Sequence, residues 1–109
     1  MNQKYEITDI VHPQYPWLHR IRALRDVRED VHVGDLGGFV QSEENLSQEG
    51  QCWVANNAVA AEESYISGDA IMWDYSCARG CAVISGKSRI GGEAIIEDHA
   101  IVTSGYVHG

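Results

Sequence analysis

At 109 residues, with 44% hydrophobic and 22% charged side chains, the chain has room for one folded domain with a modest core. Its formal net charge of -8 disfavours direct nucleic-acid binding, which needs a basic surface to neutralise phosphate. No apolar stretch approaches the roughly 18 residues of a membrane span, and no charged-then-apolar leader follows Met1, so a soluble, cytoplasmic protein is expected.

Residues 4–10 and 17–25 alternate as two strands, separated by His12-Pro-Gln-Tyr-Pro16, whose two prolines rule out a continuous helix. Leu18, Arg20, Arg22 and Leu24 would share one side, and His19, Ile21 and Ala23 the other. Arg20, Arg22 and Arg25 form a basic cluster that could also bind a partner. Gly34-Asp-Leu-Gly-Gly38 lacks the spacing of a phosphate-binding loop and is expected to turn the chain into the first coil of a repeat. Residues 1–30 carry five bases and five acids, so the whole negative excess lies in the remainder, where eleven acids face three bases.

That remainder is periodic. Every sixth residue from Ala58 is small: Ala58, Ser64, Ala70, Ser76, Ala82, Ser88, Ala94 and Ala100. Four residues before each stands an apolar side chain, from Val54 through Ile66, Ile84 and Ile96, with Val102 continuing the series. Two residues before each small position come Asn56, Glu62, Gly68, Asp74, Gly80, Gly86, Gly92 and Asp98, and all but Glu62 belong to types that turn a chain readily. A triangular coil explains all three series: a short strand per face, a corner, a small residue in the tight interior and an aliphatic one filling it. Three hexads then close a turn of about 18 residues, stacked at roughly 4.8 Å. Residues 18 apart should stack, giving Asp69 over Lys87, Arg79 over Glu97, and apolar columns Val59, Cys77, Ile95 and Tyr65, Val83, Ile101. A sandwich of hairpins could share the spacing, but strict phase over nine units is hard to obtain from loops of varying length.

The fold class expected is therefore all-β, a left-handed parallel β-helix of about three to four coils over residues 34–109, with residues 1–33 as a small N-terminal β cap covering its open end. The repeats resemble the hexapeptide pattern of left-handed β-helix proteins, most directly in Ile66-Ser-Gly-Asp-Ala70 and Ile90-Gly-Gly-Glu-Ala94. The lead-in segments Lys4-Tyr-Glu-Ile-Thr-Asp9, Leu18-His-Arg-Ile-Arg-Ala-Leu-Arg25 and Gly34 to Ser47 are similar to small phage and prophage proteins of enterobacteria. The resemblance implies a phage-related origin and brings no settled activity.

Chemistry is sparse. Acyl transfer on such a coil would use a histidine as general base, and His99, stacked with Cys81 and Glu63, is the residue placed for it. Yet a short coil without long loops offers little cleft for an acyl carrier. Only His99 and His108 lie in the repeats, too few for a zinc site, and the odd set of Cys52, Cys77 and Cys81, without CxxC spacing, suggests reduced thiols. No cofactor is expected. Trp53, Tyr65, Trp73 and Tyr75 are too large for the interior and are expected at or near the outer surface, as a binding surface or packed under the cap or between copies. The functional expectation is a non-catalytic, phage-encoded binding protein: a homo-oligomer (dimer or trimer) that inhibits a bacterial defence system by binding a host protein complex or sequestering a nucleotide ligand. The alternatives are a small acyltransferase-like enzyme and a structural virion element.

Overall fold

The six-residue period closes a triangle. In the computed structural model, which describes residues 3–109, each hexad supplies a short strand and a corner, and every third strand pairs in parallel with its predecessor. The first sheet runs through β3 (Leu36–Val40), β5 (Val59–Ala60), β8 (Cys77–Ala78) and β11 (Ile95–Ile96). The second contains β4 (Trp53–Val54), β7 (Ile71–Met72), β10 (Arg89–Gly91) and β13 (Tyr106–His108). The third contains β6 (Tyr65–Ile66), β9 (Val83–Ile84) and β12 (Ile101–Val102), with Leu46 bridging to Ile66 in the first turn. The result is an all-β parallel solenoid of about four turns.

The pairing follows the columns read from the sequence. Val59, Cys77 and Ile95 are partners, as are Tyr65, Val83 and Ile101. Arg79 donates to Glu97 Oε1 at 3.0 and 2.8 Å. Asp69 and Lys87 form no ion pair among the described residues; the Asp69 carboxylate instead accepts from the Gln51 N–H of the preceding turn at 3.3 Å. The coil also begins earlier than the visible phase. Phe39 pairs with Val59 and Leu46 with Ile66, 20 residues apart rather than 18, because two extra residues lie between Leu46 and Val54. At the other end Arg89 pairs with Tyr106, one residue short of the period.

Interior and corners obey the physical roles. Val54, Ile66, Met72, Ile84 and Ile90 are fully buried, as are Ala58, Ala70 and Ala82. Serine is tolerated at the small positions because its hydroxyl finds a carbonyl: Ser76 Oγ donates to Trp73 O at 2.9 Å and Ser88 Oγ to Ser85 O at 2.6 Å. Among the described residues no buried side-chain donor or acceptor is left without a partner. All eight corner residues of the series adopt the left-handed region, φ 55 to 67°. Glu62, at 59°, is the one that does so against its side-chain preference.

β1 (Tyr5–Val11) and β2 (His19–Ala23) pair antiparallel with each other, and β2 pairs antiparallel with β3, so the cap continues the first sheet to six strands. Tyr5, Ile21, Ala23, Val27 and Val31 turn inward and join the solenoid core. Tyr5 donates to Leu46 O and stands edge-on to Trp53 at 6.4 Å. Lys4 is wholly buried, its Nζ donating to Cys52 O at 2.8 Å and Glu49 O at 3.2 Å and lying 3.0 Å from Cys52 Sγ. Burial pushes its ammonium pKa below the ordinary value.

Candidate functional site

The four aromatic residues singled out by the repeat do not form one surface. Trp53 is 1% exposed and takes the placement under the cap, one of those expected for these aromatics. It occupies an outer position of the first turn, but that turn is the one the cap covers, and its ring packs against Gly37 and Tyr5. Tyr65 is exposed on the third sheet, and Tyr75 on the corner between the second and first. Trp73 is half-buried on the second sheet, with Tyr106 at 5.6 Å.

The arginine cluster is divided between cap and surface. Arg20 donates to Gly37 O, Asn56 O and Asn57 Oδ1 at 2.7 to 3.0 Å and lies 4.2 Å over the Phe39 ring. It clamps the cap to the coil. Arg22 pairs with Glu6 on the neighbouring strand, leaving Arg25, exposed beyond the end of β2. Two of the three guanidinium groups are thus used internally.

Two surfaces remain that sequence reasoning did not assemble. The first is an acidic edge where the first sheet turns into the third. Glu43 and Glu44 stand there in the first turn, Glu62 and Glu63 in the second, and Glu97 and Asp98 in the fourth, all exposed, with Arg79 the basic side chain among them. The corner geometry aligns them, at a rise of roughly 4.8 Å per turn. The 20-residue step from Glu43 to Glu63 and the two-turn, 36-residue step from Glu62 to Asp98 were visible only as scattered acids until the register was known. Beside this edge the β1–β2 loop projects Tyr15 and Trp17, 44% and 55% exposed, with ring centroids 5.5 Å apart. Leu18, next to Trp17, packs with Phe39 and Ala61, and Ala61 precedes Glu62. The signal for Tyr15 was the His12 to Pro16 loop itself; Trp17 opened the strand expected over 17–25, and the loop takes it in because β2 begins only at His19.

The second surface is a groove of about 880 Å³ between the loop 28–36 and the second sheet. Trp73, Ile71 and Arg89 line its solenoid side, and Glu29, Asp30 and Asp35 its loop side.

The histidine column is only partly assembled. Cys81 Sγ donates to Glu63 Oε2 at 3.2 Å, and this hydrogen bond, with burial second, raises the thiol pKa, the opposite of what a thiolate nucleophile needs. His99 is exposed and makes no side-chain hydrogen bond among the described residues. Burial raises the Cys77 thiol as well. Among the described residues no three His, Cys, Asp or Glu side chains converge as a metal site, and no helix is long and apolar enough to cross a membrane. Compared with known protein families and with curated proteins, the chain matches none.

Proposed function

We propose that the chain is a non-catalytic binding protein whose acidic edge engages a basic protein surface of the kind that otherwise holds nucleic acid. The observation that carries this reading is the set of six exposed carboxylates on the first, second and fourth turns of one edge, where the third turn presents Arg79, paired with Glu97. A solenoid fixes such a set on paired backbone, so the charges are presented without ordering a flexible segment on binding. Complementary charge steers encounter and selects the partner, and apolar anchors beside it supply the desolvated contact. Tyr15 and Trp17 are placed for that second role. In the phage setting that the lead-in resembles, the partner is a defence complex of the bacterial host, and occupation of its nucleic-acid site inhibits it.

The test is a plating assay. Expression of the chain should restore plaque formation by a defence-sensitive phage on a defended strain, and Glu62→Lys with Glu63→Lys and Asp98→Lys should abolish the rescue at equal protein level. Rescue that survives all three reversals rules out the edge as the binding surface, and absence of rescue across defended strains rules out the defence role. Self-association, also expected from the sequence, is favoured by one observation: Ile95 and Ile101, at the ends of two outward apolar columns, are 52% and 70% exposed. Sedimentation of the wild type against Ile101→Arg tests it: a multimer that the substitution dissociates supports it, and a monomer at all concentrations excludes it.

A further inference from the structure

We propose that the groove between loop 28–36 and the second sheet receives one arginine side chain of the partner, stacked on Trp73 and ion-paired with Glu29 and Asp35; this rests on the basic-partner reading above. The platform comes first. A Cβ at Gly91 would lie 2.4 Å from the Trp73 Cε2 and Cζ2 atoms, so the indole rests directly on bare β10 backbone. Tyr106 holds it from the side, with ring planes at 66°. Trp73 nevertheless remains part-exposed and lines the groove, so part of the ring is open to a ligand.

The opposite wall is fixed rather than pliable. Val27 N–H donates to Val31 O and Val31 N–H to Arg28 O. Asp26 accepts from Val33 N–H, and Asp35 from His32 N–H, both at 2.9 Å. Arg28 anchors the loop by donating to Gln51 O at 2.8 Å and Asp69 O at 3.3 Å. Arg28 is therefore spent on carbonyls and on Asp30, 3.8 Å away. Glu29 and Arg89 make no ion pair among the described residues.

Charge decides between ligands. An anion would meet Arg89, but also three carboxylates in the groove and a chain of net charge -8. A guanidinium meets a π-face and carboxylates together, the pairing that a planar, forked cation exploits better than an ammonium. Arg89 then limits the site to one cation and can donate to carbonyls of the segment that carries it.

The experiment is a titration of the intact chain with the capped peptide Gly-Gly-Arg-Gly-Gly, its lysine and citrulline counterparts, and adenosine monophosphate. The readout is the Trp73 indole N–H resonance, assigned by its loss in Trp73→Phe. The arginine peptide should shift it saturably, about threefold or more tighter than lysine, with citrulline silent. Glu29→Gln with Asp35→Asn, both exposed positions, should weaken the arginine peptide about fivefold or more while the circular dichroism spectrum is retained. Equal response to all three peptides, indifference to the double substitution, or a shift by adenosine monophosphate alone would overturn the proposal. The reversals at Glu62, Glu63 and Asp98 should leave this titration unchanged, so failure of the groove and failure of the acidic edge are read separately.

Discussion

At corner residues the fold is decided by a single backbone angle and the space beneath it. Gly86 sits at φ 64°, and a Cβ there would stand 2.1 Å from Thr103 O of the next turn. Gly86→Ala should therefore cost about 2 kcal/mol or more by chemical denaturation; a cost within experimental error would mean that the turns are looser than their pairing implies. Lys4 gives a second prediction. Its buried amine lets go of its proton below the ordinary 10.5, while the unfolded chain still holds one. Between the two values the unfolded state binds more protons, so raising the pH favours the folded state. Relative to Lys4→Met, the wild type should gain stability as pH rises towards 10.5, and Tyr5, Cys77 and Cys81, whose pKa values are raised, cancel in that difference. A flat or falling difference would contradict the burial. Neither the depth of Lys4 nor that of Trp53 was legible in the sequence. The period assigns a side chain to the inside or outside of the coil, but it holds no information about what another segment lays over the outside. Lys4 and Trp53 are buried by such tertiary packing, whereas Ala58, Ile66 and Ile84 are buried by the period itself.

Among the elements, β5 to β12 were legible because each hexad repeats one steric solution without insertion. The first turn was not, since two extra residues between Leu46 and Val54 break the phase while their backbone and Gln48 serve the cap: Gln48 Oε1 accepts from Lys4 N–H at 2.8 Å and from Tyr5 N–H at 3.2 Å. The strand expected over 17–25 is shortened to β2, because Leu18 N–H donates to Tyr15 O and His12 N–H to Leu18 O, closing the proline-flanked loop. The cap strands themselves are coupled to the core through Ile21, fully buried beside Gly37. Ile21→Ala should destabilise by about 2–5 kcal/mol, measured by urea unfolding. A loss under about 1 kcal/mol would show the cap to be dispensable for the solenoid. The acidic edge belongs to this scale too: like charges on stacked turns repel, as Glu43 does with Glu63 of the next turn, so Glu43→Gln with Glu63→Gln should raise stability by a few tenths of a kcal/mol at low salt while weakening partner binding. If stability and binding fell together, the carboxylates would be structural.

The molecule as a whole separates scaffold from surface. Its interior is satisfied within the coil, and the chemistry open to partners lies outside, as exposed carboxylates along one edge, three of them also accepting from the Arg79, Gly80 and Cys81 turn, the Tyr15 and Trp17 pair beside it, and the Trp73 groove on another face. Binding led by the acidic edge should weaken steeply with added salt, over the range where the Debye length shortens from about 10 Å towards 3 Å. The most direct measurement is a competition in which the intact chain is titrated into a host defence complex already bound to fluorescently labelled duplex DNA. The wild type is expected to release the DNA, and Glu62→Lys with Glu63→Lys and Asp98→Lys to raise the required concentration about tenfold or more. DNA that stays bound at every concentration, or that the reversed variant releases equally well, would contradict a role for the acidic edge.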